Sequence, residues 1–199
     1  GVANRTREAI LVAESAGFDV ILVETVGVGQ SEYEVHSMTD LFLVLMQPGA
    51  GDELQGIKKG ILELADLIVV NKADGDAERL ASQSVVHYKN AMGFLNHQGF
   101  WTPEVLSVSS IEPRGIDTLW DRMVAYCEAG SEAIPARRTA QASQWFERLL
   151  NDGVTELLKA NAAWADLYQA QKRRVASGDI APPQAALACI EPLENALKS

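Results

Sequence analysis

Asn71-Lys72-Ala73-Asp74 follows directly on the apolar run Leu67-Ile68-Val69-Val70, which hangs an amide and a carboxylate off the end of a buried strand. A carboxylate so placed accepts hydrogen bonds from both the ring N–H and the exocyclic amine of guanine, at roughly 1.5–3 kcal/mol for each charge-assisted bond. Adenine has no matching donor pair, so Asp74 would favour GTP over ATP. Asn71 would brace the loop and approach the purine edge, while the methylene stem of Lys72 would lie over the base face. Four letters alone are also compatible with a strand followed by an ordinary Asn/Asp turn.

A second motif adds phosphate chemistry to base recognition. The run Phe18-Asp19-Val20-Ile21-Leu22-Val23 ends in Glu24-Thr25-Val26-Gly27-Val28-Gly29-Gln30-Ser31. This sets an acidic residue three positions before a glycine at the carboxyl end of an expected strand, where doubly wound sheets bind their ligands. Gly27, having no side chain, lets a backbone N–H approach a terminal phosphate. Glu24 would hold a water of a magnesium shell, or orient the attacking water. The two motifs occur in the order, and with the intervening strand and helix, that successive nucleotide-contacting loops require.

Two weaker segments complete the set. After the run Leu41-Phe42-Leu43-Val44-Leu45-Met46 comes Gln47-Pro48-Gly49-Ala50-Gly51-Asp52-Glu53-Leu54-Gln55-Gly56-Ile57-Lys58, in which proline and glycines make a turn and Asp52 is placed to cap a helix. An ordinary strand-to-helix connection would look the same. Val105-Leu106-Ser107-Val108-Ser109-Ser110-Ile111 is a strand running into a serine turn, where backbone N–H groups of Ser110 and Ile111 would meet the guanine oxygen.

Taken together these segments resemble the methylmalonyl-CoA mutase-associated GTPases, the ArgK or MeaB family of P-loop chaperone GTPases. The likeness is strongest from Ala16 to Asp76, covers essentially the whole chain, and loosens after Ala129. It implies that Glu24 to Gly27 is a switch for the gamma phosphate and magnesium, with GTP and GDP as ligands. It also implies that Gln47, Gly49, Gly51, Asp52, Gln55 and Lys58 belong to a further switch, through which an adenosylcobalamin-dependent acyl-CoA mutase senses and speeds GTP hydrolysis. Lys58 is a candidate to reach phosphates or that partner, although it is also one of two lysines on an expected solvated helix face.

Members of that family carry a phosphate loop, and no G-x-x-x-x-G-K-[S/T] segment occurs in these residues. The chain is therefore expected to be the carboxyl-terminal portion of a longer GTPase. Such loops supply most of the phosphate affinity. The 199 residues alone are expected neither to hydrolyse GTP at a useful rate nor to bind it tightly. The competing readings are a non-enzymatic dimerisation or regulatory module, and another GTPase that inserts a metal cofactor.

The elements that would position these loops alternate. Helices are expected over 5–16, 31–38, 53–65, 76–92 and 115–129, and strands over 19–24, 41–46, 67–71 and 104–109. That order gives an α/β fold, an incomplete, mostly parallel, doubly wound P-loop GTPase sheet. Residues 1–130 form the expected GTPase part, with 9 basic against 19 acidic residues. Residues 131–199, with 8 of each sign, read as helical throughout. Trp145, Phe146, Leu149, Leu150, Val154, Leu157 and Leu158 lie at three- and four-residue spacing on one stripe. Three helices in so short a stretch cannot bury such stripes unaided, and the resemblance implies a homodimerisation arm.

A net charge of −10 argues against nucleic acid or an anionic membrane as partner, because both are bound by basic surfaces that release counterions. No apolar run approaches the ~20 residues of a membrane span, so a cytoplasmic location is the default expectation. Cys127 and Cys189, without metal-ligand spacing, read as reduced packing residues. His36, His87 and His97 lack a neighbouring ligand set, and Arg114 is expected near the base or in solvent.

Overall fold

The computed structural model describes residues 2–25, 31–49, 59–93 and 99–198. Two compact units emerge, Gly1–Gln141 and Ala142–Ser199. In the first, the order is α1 (Val2–Ser15), α2 (Ser31–His36), β1 (Leu43–Met46), α3 (Lys59–Leu64), β2 (Leu67–Val70), α4 (Glu78–Gly93), β3 (Glu104–Ser107) and α5 (Ile116–Ala129). Helix α6 (Ala133–Ala160) runs through the division, and α7 (Ala162–Ala176) and α8 (Pro182–Leu197) follow.

The three strands form one parallel sheet in the order β1-β2-β3, with Leu43 opposite Leu67 and Leu67 opposite Glu104. All four residues of β2 are 0% exposed, which explains why this strand is a continuous apolar run rather than an alternating one. Ile68 and Val70 pack with Leu62, Ala81, Tyr88, Met92 and Val105 to make the core under α3 and α4.

One expected strand is corrected. Residues 19–24 are not a strand, and none of the described strands pairs with them. Phe18, Val20 and Leu22 are exposed, Leu22 at 83%. An apolar run becomes a strand only by closing a hydrogen-bond ladder with a neighbour, and β1 pairs with β2 alone among the described residues. The other expected strands and the helices at 5–16, 31–38, 76–92 and 115–129 appear, shifted by a few residues at their ends. The expected helix over 53–65 is described only from Lys59 onward.

At the amino ends of the strands, long side chains satisfy the carbonyl groups that a short helix leaves unpaired at its end. Arg7 donates to the Ser37 carbonyl at 2.7 Å. Gln141 donates to the His36 and Thr39 carbonyls at 3.2 and 3.1 Å. Tyr126 and Arg137 both donate to the Asp40 carbonyl, at 2.8 and 2.9 Å. Asp66 lies beneath this girdle, accepting from the Phe42 N–H at 2.8 Å with Arg137 3.7 Å away. Burial raises the Asp66 pKa and lowers that of His36, and it raises the Tyr126 hydroxyl well above its usual range.

Within the second unit, Asn161 caps α7 by accepting from the Trp164 N–H at 3.1 Å, and Pro182 opens α8. Trp164 donates from its indole to the Cys189 carbonyl at 3.1 Å and stacks on Tyr168, joining α7 to α8. Among the described residues, no helix is long and apolar enough to cross a membrane.

Truncating the central strand should be costly. Ile68→Ala is expected to lower stability in urea unfolding by about 2–5 kcal/mol, the range for emptying a packed core site, whereas Leu22→Ala should change it by less than about 0.5 kcal/mol. Equal effects would contradict the assignment of β2 as the core strand.

Candidate functional site

Parallel pairing sends the carboxyl ends of β2 and β3 in the same direction, and the loops that leave them interlock. The ladder continues past the strands. Asn71 N–H donates to the Met46 carbonyl at 2.9 Å, Val108 N–H to Val70 at 2.9 Å, and Ala73 N–H to Val108 at 3.0 Å. The backbone of Asn71-Lys72-Ala73 is therefore fixed by both neighbouring strands. Lys72 has φ +62°, a left-handed conformation uncommon for a residue with a side chain. That local strain is held by the hydrogen bonds on either side.

Side chains then join the two loops directly. The Ser109 hydroxyl, fully buried, donates to Asp74 Oδ2 at 2.5 Å and accepts from the Glu112 N–H at 3.0 Å. The Ser110 hydroxyl donates to Asn71 Oδ1 at 3.0 Å, and the same oxygen accepts from the Lys72 N–H at 2.7 Å. Asp74 itself has an extended backbone and leads into a short 3₁₀ turn, Gly75–Ala77, before α4. Two polar side chains from one loop are thus oriented by two serines from the other. Ile111, at the tip of the serine turn, is exposed.

Glycine is required at the exit of the serine turn. Gly115 has φ +76°, and a Cβ there would lie 2.5 Å from the Ser107 carbonyl oxygen. The chain can then turn sharply from Ser109–Arg114 into α5.

The remaining candidates are placed less completely. Gly49 has φ +80°, and its N–H donates to the buried Ser84 hydroxyl of α4 at 3.1 Å, which ties the start of the 47–58 segment to the same helix that follows Asp74. Gln47 lies just past the end of β1. Gly51, Asp52, Gln55 and Lys58, with the expected Asp52 cap, lie outside the described residues, as does Gly27. Glu24 is exposed, at the end of a segment that no strand pairs with among the described residues. Trp101 is a packing residue, donating to the Asp66 carbonyl at 3.1 Å and standing edge-on to Tyr126.

The structure also brings in residues that spacing did not single out. Ser84 is one, and Glu78 and Glu112, which flank Arg114, are two more. Their partners lie 35, 36 and 2 positions away, so only Glu112 carried a local signal, within Glu112-Pro113-Arg114-Gly115.

A family model described as methylmalonyl Co-A mutase-associated GTPase MeaB matches residues 1–163. The chain belongs to this family. It is 40% identical over 185 residues to the GTPase ArgK of Escherichia coli, covering 92% of this chain and 56% of that protein. It is 39% identical over 189 residues to a Mus musculus protein described as methylmalonic aciduria type A homolog, mitochondrial, covering 94% and 46%. A solved structure described as LAO/AO transport system kinase superposes with a TM-score of 0.79 at 35% identity, covering 96% of this chain and 63% of that one. The chain thus spans 46–58% of the length of these curated relatives and of a Caulobacter vibrioides relative. With this family membership, the three parallel strands and their helices are an incomplete α/β sheet of the P-loop GTPase kind.

Removing the buried serine hydroxyl should disturb the site before the fold. Ser109→Ala leaves the Asp74 carboxylate and the Glu112 N–H each short of a partner, so a loss of about 1–3 kcal/mol is expected. Thermal or urea unfolding checks it. A change within error would mean that water replaces the hydroxyl without cost.

Proposed function

We propose that this chain supplies the base-reading and switch parts of a GTP-binding and GTP-hydrolysing chaperone for an adenosylcobalamin-dependent acyl-CoA mutase of the methylmalonyl-CoA mutase type. The observation that carries the reading is the pair of bonds from Ser109 to Asp74 and from Ser110 to Asn71, which join two loops at adjacent strand ends. A hydroxyl on Asp74 Oδ2 orients the carboxylate and leaves its other oxygen and remaining lone pairs for guanine's two donors. Asn71 is held by its own carbonyl oxygen, which turns its amide N–H groups toward an acceptor such as the purine N7 or a loop carbonyl. The stem of Lys72 would cover the ring.

In this proposal Glu24 and Gly27 act at the phosphate end, and Gln47 to Lys58 relay nucleotide state to the mutase. Hydrolysis is an in-line attack of water on the gamma phosphate, in which positioning and charge stabilisation carry the catalysis. Magnesium would arrive with the nucleotide's phosphates, and Glu24 is the carboxylate assigned to a water of its shell. Isolated from a phosphate loop, the chain is proposed to be inactive.

Asp74→Asn is the direct test, made in a protein extended to the full length of the relatives. The amide presents a donor to one of guanine's donors, so selectivity for GTP over ATP should fall by at least tenfold, about 1.4 kcal/mol or more. Unchanged selectivity in competition binding would sink the assignment.

The second unit supports a homodimer. Phe146 is 64% and Leu157 74% exposed, with Leu149, Leu150 and Val154 exposed on the same stripe of α6. Such a stripe gains from burial against a second copy at about 25 cal/mol per Å² of apolar surface. Phe146→Glu combined with Leu157→Glu should convert a dimer to a monomer in sedimentation velocity. A wild-type monomer at micromolar concentration would remove the proposal.

A further inference from the structure

We propose that Arg114 is a positioning residue for base recognition, a clasp that holds the serine turn against the start of α4 and sets the width of the guanine site. The inference rests on the base-reading assignment of Asn71 to Asp74 and extends it to a residue given a supporting role.

The guanidinium joins carboxylates from two different segments. One nitrogen is 2.5 Å from Glu78 Oε1, on the first residue of α4, and the other donates to Glu112 Oε2 at 2.7 Å. These contacts raise the Arg114 pKa further. The arginine is therefore committed to two anions. Its backbone is fixed as well, since Ser109 N–H donates to the Arg114 carbonyl at 3.0 Å and Arg114 N–H returns to the Ser109 carbonyl at 3.4 Å. The close approach of Gly115 to Ser107 pins the next residue.

These bonds close a ring. Asp74 is held by Ser109, Ser109 by the Glu112 N–H, Glu112 by Arg114, and Arg114 by Glu78, which follows Asp74 across a single 3₁₀ turn. Exposed ion pairs contribute little to global stability, and Arg114, Glu78 and Glu112 are each about half exposed. Their effect is local. The rigid fork of an arginine, presented from a fixed backbone, loses less entropy on pairing than a mobile surface lysine would. Opening the ring at Arg114 lets the serine turn move away from Asn71 and Asp74 while the buried strands stay in register.

The test follows release of a fluorescent GDP by stopped flow, in a protein extended to the relatives' full length. Arg114→Ala should speed release about three- to tenfold at ~0.1 M salt, as two exposed ion pairs would predict. The difference should shrink at 1 M salt, where charges are screened within about 3 Å. The loss should fall on KM for GTP rather than on kcat, and GTP-over-ITP selectivity should drop. Arg114→Lys should recover part of the effect. Glu78→Gln should act in the same direction and less than additively with Arg114→Ala. Release unchanged in Arg114→Ala, or equal losses in kcat and thermal stability, would overturn the clasp. Asp74→Asn run in parallel separates the two ideas. Lost GTP selectivity there with wild-type release in Arg114→Ala refutes the clasp alone, whereas retained selectivity refutes the base reading and the clasp with it.

Discussion

Burial of β2 on both faces is the constraint from which the rest of the first unit follows. A strand with no exposed residue must have its backbone groups paired on both edges, and parallel neighbours on either side supply those partners. Parallel pairing then fixes direction. The loops after β2 and β3 have to emerge at the same end of the sheet, about 4.8 Å apart. That spacing is what allows a short serine side chain to reach an aspartate 35 positions earlier. The site is thus a consequence of strand polarity before it is a consequence of its particular residues.

The opposite end of the sheet solves a different problem. There Arg7, Tyr126, Arg137 and Gln141 close off carbonyl groups left by α2 and its following turn, and Asp66 caps the entry into β1 through the Phe42 N–H. Shifted ionisation at Asp66 and His36 arises first from burial. Such shifts also occur in catalytic centres, but here the charged groups satisfy backbone and one another. The girdle and the proposed base-reading pair differ in what they leave over. The girdle spends its donors on carbonyls of its own chain, whereas Asp74 and Asn71 retain hydrogen-bonding capacity beyond the bonds that orient them.

Local signals in the sequence were enough for the helices that lie wholly within the described residues, the buried strand β2 and the loop at Asn71 to Asp74, because each is decided by periodicity, by a continuous apolar run or by residues adjacent in the chain. The serine turn was legible as a turn, but not the fact that Ser109 is buried and bound to Asp74. Asp19 to Glu24 shows the limit from the other side. Its residues are as strand-like as those of β1, yet strand formation depends on a ladder partner, which no property of the run itself specifies. Arg114 is a similar case. Its type and turn were visible, but its engagement with Glu78 depends on a tertiary approach across 36 positions.

On the proposed base-reading role of these loops, base reading and nucleotide affinity are separable, and the magnitudes show why. Two or three charge-assisted bonds to guanine contribute a few kcal/mol at about 1.5–3 each. Association and ordering of loops cost an estimated 4–15 kcal/mol. Loops like these therefore discriminate among purines more than they capture them, and the binding free energy has to come mainly from phosphate contacts. Discrimination then depends on how rigidly Asp74 is presented, since a carboxylate that can relax toward another donor loses its preference for guanine's paired N–H groups. The buried hydroxyl of Ser109 and the strand bonds on either side of Lys72 restrict that freedom, so the proposed selectivity would reside in a part of the fold tied directly to the sheet.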